Sequence, residues 1–304
     1  MSIQRFLTFC AVALAIAPLA AQAKVRIVVT VTDLGAIAQE VAGDNGAVTV
    51  LARPTQDPHF VDARPNLMID LNRADALVLI GADLEVGWLP VLLRGARNEK
   101  ILSGQPGYID ASSFVPLKEV PTAKIERSMG DIHPSGNPHI TTDPTNAPLI
   151  ARGLAERLAT IDVANAAVYR ANAEKFAAAT NARIATWKAA LAPYKGTPAI
   201  TYHRSWIYFT DFAGLEEAGT VEPKPGIPPN AKHVADLIAL IRVRHIPLVL
   251  QESWYGSATS EIVARETGAK LVVVPGMARE GQPYLEHIDE VVKATVAALA
   301  SKKT

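Results

Sequence analysis

Three histidines in this 304-residue chain share a local context that suits metal binding. His59 lies in PTQDPHFVDARP, His139 in GNPHITTDP and His203 in ITYHRSWIYF, and each follows a strand or a loop typical of a strand's exit. Open α/β sheets place ligand sites at this edge, and neutral imidazole is the commonest donor to zinc and related ions. Two of the three directly follow proline, which restricts the backbone that carries them. Taken singly, each would more often have an ordinary surface or capping role, because isolated histidines are usually not ligands.

The spacing of these histidines requires the fold to assemble any common site. His139 follows His59 by 80 residues and His203 follows His139 by 64, which is far too long for a local finger-type site. His133, six residues before His139, lies in the same loop. It is a candidate accessory residue for metal capture, and a plain loop role is the alternative.

The chain lacks the usual catalytic motifs. It has no Gly-x-Ser-x-Gly elbow, no glycine-rich phosphate loop and no His-Glu-x-x-His helix, and its single cysteine is Cys10. A zinc-dependent hydrolase with an open coordination position stays possible in principle, but no general base stands beside the histidines. A metal-bearing adhesin is the other alternative. We therefore predict no catalytic residues and a protein that is not an enzyme.

The first 23 residues predict export. They combine Arg5, a short apolar core and the small-residue end Ala21-Gln22-Ala23, which is typical of a signal peptide cut before Lys24. Without Arg5 the chain keeps 29 Lys and Arg against 30 Asp and Glu. This balance, without a basic stripe, indicates neither nucleic acid nor a charged membrane surface as a partner.

The elements that must position the histidines alternate between strands and helices, which predicts parallel sheets with crossover helices. Two such α/β halves flank an alanine-rich segment in which Val163 to Leu191 runs for 29 residues without a helix breaker, roughly 43 Å of helix. We predict an N-terminal α/β lobe over 24–144, a helical segment over 145–192 and a C-terminal α/β lobe over 193–304. The long helix could connect the two lobes or lie along one sheet, and periodicity alone does not decide between them.

Five motifs in order, DPH, GNPHITTDP, YHRSWIYF, EPKPGIPP and ARETGAKLVV, resemble the periplasmic metal-binding proteins of zinc and manganese ABC importers. The resemblance implies two α/β lobes joined by one long rigid helix, with a metal ion bound in the cleft. It places His59 and His139 on the first lobe and His203 on the second, all three as metal ligands. It also implies a soluble periplasmic protein, which we expect to be a monomer, and an inner-membrane ABC permease with a cytoplasmic ATPase as partner.

The fourth ligand is where the sequence departs from this family. Many members use an aspartate in the loop after the ETGAK strand, but here LVVVPGMAREGQP has Pro275-Gly276 near that position. Glu252, which leaves the preceding strand at the same sheet edge, is our candidate, and a water molecule or Glu280 is the alternative. Asp57 and Asp62, beside His59, are interpreted as structural.

Three imidazoles with one carboxylate or water suit Zn²⁺, whereas Mn²⁺ favours more oxygen donors. Zn²⁺ is therefore the predicted ion and Mn²⁺ the alternative, while copper or nickel would compete in vitro. The long histidine-rich loop of many zinc-binding members is absent here, since LKEVPTAKIERSMGDIHPSG contains only His133.

Overall fold

The structure is a computed structural model, and it describes residues 23–123, 130 and 133–301. The predicted signal peptide, apart from its last residue, lies outside the described residues. None of the helices in the described part of the chain combines the length and the apolar character that a bilayer crossing requires.

The first lobe is built on a four-stranded parallel sheet whose strands lie in the order β2-β1-β3-β4. The strands are β1 Val25–Val29, β2 Gly46–Val50, β3 Ala76–Leu79 and β4 Tyr108–Asp110, and the helices of this lobe are α1 Thr32–Ala42, α2 Pro65–Arg73 and α3 Leu89–Ala96. Helices cover both faces of the sheet, so β3 is buried along its whole length, as parallel strands usually are.

Two helices lead from the first lobe to the second. Helix α4 spans Ala147–Ile161, and α5 spans Ala166–Leu191 between single 3₁₀ turns at 163–165 and 192–194. The 26 residues of α5 give a rod of about 39 Å. The α-helix proper begins three residues later than Val163, because residues 163–165 form the tighter 3₁₀ turn.

The second lobe repeats the architecture with strand order β6-β5-β7-β8, again all parallel. Its strands are β5 Pro198–Thr201, β6 Glu216–Thr220, β7 Leu248–Glu252 and β8 Lys270–Val274, and its helices are α6 Ile207–Ala213, α7 Ala231–Arg244, α8 Ala258–Thr267 and α9 Tyr284–Ala300. The fold class predicted from the sequence, two parallel-sheet lobes joined by one long helix, is confirmed.

Helix α5 is held at both of its ends. Asn172, near its start, donates from Nδ2 to the carbonyl of Val41 at the end of α1 at 3.1 Å. Trp187, near its other end, donates from Nε1 to Asp289 of α9 at 2.6 Å. The helix therefore connects the two lobes, and the alternative in which it lies along one sheet is wrong.

One continuous apolar core runs through both lobes and α5. It includes Val29 of the first sheet, Phe176 of α5, Leu250 of the second sheet and Val291 of α9. Smaller clusters cover the outer face of each sheet, as the alternation of side chains along a strand requires. Because the core is shared, apolar contacts as well as the helix fix the relative placement of the lobes.

A buried carboxyl group joins β1 to β3 at the edge of the sheet from which the site loops leave. Glu85 accepts hydrogen bonds from Thr30 Oγ1 at 2.6 Å, from the Ile80 amide at 2.7 Å and from the Gly81 amide at 3.1 Å. Gly81 has a φ of +80°, and a Cβ there would overlap the Asp110 carboxylate. Burial raises the pKa of Glu85 to about 7, although all three hydrogen bonds act to lower it.

This raised pKa predicts how stability depends on pH. A carboxyl group with an ordinary pKa of 4.5 releases its proton in the unfolded chain at a pH where folded Glu85 still holds it. Its contribution to stability is therefore complete below pH 4.5 and declines as the pH rises through about 7. Relative to Glu85→Gln, the parent should lose up to about 3 kcal/mol of unfolding free energy across this range, measured by urea unfolding at a series of pH values.

The exposed change Glu40→Gln is the control and should leave the slope of the parent unchanged. Parallel pH profiles for the parent and Glu85→Gln would contradict the assignment.

Candidate metal centre

The three predicted histidines meet between the lobes. Their ring centroids form a nearly equilateral triangle, with His59 5.1 Å from His139 and 5.3 Å from His203, and His139 5.3 Å from His203. One ring nitrogen from each lies within 4.8 Å of the others, and in the described residues this is the group that could hold a metal ion. Three nitrogens bound to one zinc ion would lie about 3.4 Å apart, so a small inward movement completes the geometry.

Each histidine is placed by a loop at the carboxyl edge of a parallel sheet. His59 lies in the loop from β2 to α2, His139 precedes the 3₁₀ turn Ile140–Thr142 ahead of α4, and His203 follows β5 directly. Because the carboxyl ends of both sheets face the same cleft, residues far apart in sequence converge there, as the open-sheet rule predicts.

Two carboxylates orient two of the imidazoles. Asp57 Oδ1 lies 2.7 Å from His59 Nδ1, and Glu222 Oε2 lies 2.7 Å from His203 Nδ1. A carboxylate at Nδ1 keeps the proton on that nitrogen and leaves the Nε2 lone pair for a metal ion. Burial acts to raise the pKa of Asp57, but the hydrogen bonds from His59 and Tyr255 outweigh it and hold that pKa below its ordinary value.

His139 is the third member of the group, and the residue is half-buried. Its Nε2 atom is buried without a hydrogen-bond partner among the described residues. Burial, followed by the neighbouring imidazoles of His59, His203 and His133, lowers the pKa of His139 well below its ordinary value. The ring is therefore neutral near pH 7, the form that binds a metal ion.

The accessory candidate His133 lies beside the triangle. Its Nε2 is 3.3 Å from Nε2 of His59, and the two rings stack with centroids 5.3 Å apart. Since His59 donates from Nδ1 to Asp57, its Nε2 accepts from His133. His133 therefore contacts the nitrogen that faces the ion without belonging to the three-histidine group.

Glu252, the candidate fourth ligand, lies at the end of β7 and borders the same small cavity as His139. The cavity has a volume of about 30 Å³ and is also lined by Ser205, Trp206 and Trp254, enough room for a water molecule. Both carboxylate oxygens of Glu252 are buried, and no hydrogen bond of ordinary geometry reaches them in the described part of the chain, although the side chain of Trp206 acts on the carboxyl group as a donor that lowers its pKa. Burial, followed by the charges of other acidic groups, raises the pKa of Glu252 well above its ordinary value.

Position 276, near which many members of the resembling family carry an aspartate, has no space for an acidic side chain here. A Cβ atom on Gly276 would lie 2.1 Å from Trp254 Cη2, so the indole occupies the space of any side chain at this position. Glu280, the other alternative, is exposed four residues further on. Neither Glu252 nor Glu280 belongs to the group of mutually close ligand atoms.

Two positioning side chains were not assigned this role from the sequence. Asp57 was interpreted as structural, although the Asp-Pro-His motif places its carboxylate two residues before an imidazole. Glu222 is the first residue of EPKPGIPP, one of the five motifs of the resemblance, but the motif alone gives it no role. Only the fold brings it to His203.

Two parallel-sheet lobes, a long connecting helix and a histidine triangle in the cleft define a metal-binding protein of the periplasmic type. The family model described as zinc-uptake complex component A, periplasmic, matches residues 27–300, and the chain belongs to this family. The resemblance inferred from the five motifs is thereby confirmed. The family consists of divalent-metal solute-binding proteins for ABC uptake, and its members are not enzymes.

The relatives differ in the metal that their names carry. The chain is 31% identical over 254 residues to the high-affinity zinc uptake system protein ZnuA of Paracoccus denitrificans, over 73% of this chain and 74% of that protein. It is 26% identical over 287 residues to the iron-binding protein YfeA of Yersinia pestis, over 91% of this chain and 86% of that protein. The structure of FpvC from Pseudomonas aeruginosa in complex with Mn²⁺ has a TM-score of 0.75 at 23% identity, over 91% of this chain and 99% of that one.

The contact between Glu222 and His203 leads to a prediction about affinity. Glu222→Gln should lower the affinity for Zn²⁺ by about 10–100-fold, because the amide no longer fixes the imidazole with its Nε2 lone pair toward the ion. Competition titration against a chromogenic chelator measures this. Glu216→Gln, an exposed change on the strand β6 that precedes Glu222, is the matched control, and an equal loss in both variants would argue against orientation by Glu222.

Proposed function

We propose that this protein captures Zn²⁺ between its lobes and delivers it to an ABC permease. The observation that carries the proposal is the triangle of three imidazoles whose ligand nitrogens lie within 4.8 Å of one another. A nitrogen-rich set with one further donor suits tetrahedral zinc, whereas manganese favours more oxygen ligands. Mn²⁺ is the alternative cargo, and the titration below compares the two ions.

The proposed location and partner rest on the family and on the start of the chain. The family description is periplasmic, and the first 23 residues have the pattern of a cleaved export signal. A protein that holds an ion in this compartment can serve an inner-membrane permease with a cytoplasmic ATPase, and uptake is the process named for the zinc relative.

We predict that the mature protein binds Zn²⁺ more tightly than Mn²⁺ and that each of the changes His59→Ala, His139→Ala and His203→Ala weakens zinc binding by more than about 100-fold. The expected loss exceeds that for an orienting carboxylate, because a direct donor is removed. Metal analysis and chelator competition give the affinities. His245→Asn is the control, since His245 is exposed and has a positive φ that asparagine tolerates.

Parent-like zinc affinity in all three alanine variants would overturn the proposed site. If the parent bound Mn²⁺ more tightly than Zn²⁺, manganese would be the cargo, and the proposed three-histidine site would be unaffected.

For the fourth position we propose Glu252. Its carboxyl group is buried, accepts no hydrogen bond of ordinary geometry from the described residues, and borders the cavity that His139 and Trp206 also line. A buried ionised carboxylate is costly unless a cation or hydrogen-bond donors compensate it, and a bound divalent ion supplies that compensation. A water molecule at the ion is the competing donor.

Two readouts separate these donors. Glu252→Gln should leave the metal-free protein at least as stable as the parent, because it removes a buried ionisable group that accepts no hydrogen bond of ordinary geometry from the described residues, while the rise in melting temperature on adding Zn²⁺ becomes smaller. We expect zinc affinity to fall by about tenfold or more, as for loss of one metal-binding interaction. Glu280→Gln should leave both readouts unchanged. If Glu252→Gln bound Zn²⁺ as tightly as the parent, water would be the fourth donor.

A further inference from the structure

Tyr255 links the two lobes directly at the site. It lies in the loop between β7 and α8 of the second lobe, and its hydroxyl donates to Asp57 Oδ2 of the first lobe at 2.9 Å. The other oxygen of that carboxylate, Oδ1, accepts from the His59 amide at 3.0 Å and contacts its Nδ1 at 2.7 Å. One carboxylate therefore orients a ligand on its own lobe and accepts a hydrogen bond from the opposite lobe.

The ring of Tyr255 is fixed to the second lobe beside the other ligand. It stacks on Tyr202 with centroids 4.4 Å apart and planes 19° from parallel, and it lies 6.2 Å from the ring of His203. Tyr202 immediately precedes His203 in the chain. Tyr255 therefore moves with His203, whereas Asp57 moves with His59.

The opposite side of the triangle is already joined to the second lobe by hydrogen bonds. Asn137, two residues before His139, donates from Nδ2 to the Arg204 carbonyl at 2.9 Å, and its own carbonyl accepts from the Tyr208 hydroxyl at 2.8 Å. These bonds connect the His139 segment to the helical turn after His203. Side-chain-to-backbone hydrogen bonds thus join the segments of His139 and His203, and His59 comes from a loop that Tyr255 reaches across the cleft.

We propose that Tyr255 is a positioning residue that couples His59 to the second lobe and slows release of the bound ion; this inference rests on the proposed metal-binding function. The three imidazoles converge only when the lobes are close, and the Tyr255–Asp57 hydrogen bond needs the same closeness. It therefore favours the arrangement that binds the ion over any arrangement in which the His59 loop has moved away.

The test measures the rate of zinc release into excess chelator by stopped flow, together with equilibrium affinity. Tyr255→Phe keeps the ring and removes only the hydroxyl. We expect it to release Zn²⁺ about tenfold faster than the parent, since a hydrogen bond to a charged group contributes about that factor, and to bind it at nearly the same rate. Tyr202→Phe is the matched control, because it removes a hydroxyl from the same stacked pair without touching Asp57.

A double-mutant cycle separates coupling from general loosening of the site. In the Asp57→Ala background, Tyr255→Phe should change the release rate by less than about twofold, since the acceptor is gone. The inference is overturned if Tyr255→Phe releases zinc like the parent, if Tyr202→Phe accelerates release equally, or if the effect persists in the Asp57→Ala background. A parent that binds no metal would instead defeat the proposed function.

Discussion

The hydrogen bonds that His59 donates to Asp57 and His203 donates to Glu222 are the constraint on which the site depends. Each holds the proton on Nδ1 and leaves Nε2 facing the cleft. Each also joins two residues of the same lobe, so both lobes carry an imidazole in its binding tautomer before they meet. What the fold must still supply is the distance between the lobes, because two correctly oriented imidazoles bind one ion only when they converge.

That distance is set by buried apolar contacts and one stiff rod. Helix α5 is attached to α1 through Asn172 and to α9 through Trp187, and the core around it is continuous from the first sheet to the second. Opening the lobes widely would expose apolar surface at about 25 cal/mol for each Å². A shift of the site loops alone would expose less apolar surface and would therefore require less free energy. The hydrogen bonds of those loops can then control the rate of metal release.

The repeated α/β architecture, the long helix and the metal-binding histidines could be predicted from the sequence. Their signals are local: apolar runs, helical periodicity and imidazoles next to proline. Sequence reasoning did not identify β6, because the sequence EEAGT is polar and contains a glycine. It also did not identify α2, which is a short helix that lies between two loops. It also missed the roles of Glu222 and Tyr255. These depend on partners 19 and 198 residues away, and no local pattern distinguishes such side chains from solvated ones.

The replacement near residue 276 bears on the choice of ion. Trp254 fills the space that a side chain at Gly276 would need, so the indole excludes a carboxylate from position 276. The acids that line the cavity beside His139 are then Asp33 and Glu252, and burial raises the pKa of Glu252 well above its ordinary value. An ion that is coordinated by three nitrogens and one further ligand is compatible with these residues. An ion that requires several oxygen ligands would need water molecules to supply them. The proposal of zinc rather than manganese as the cargo therefore rests on the lack of an acidic side chain at position 276.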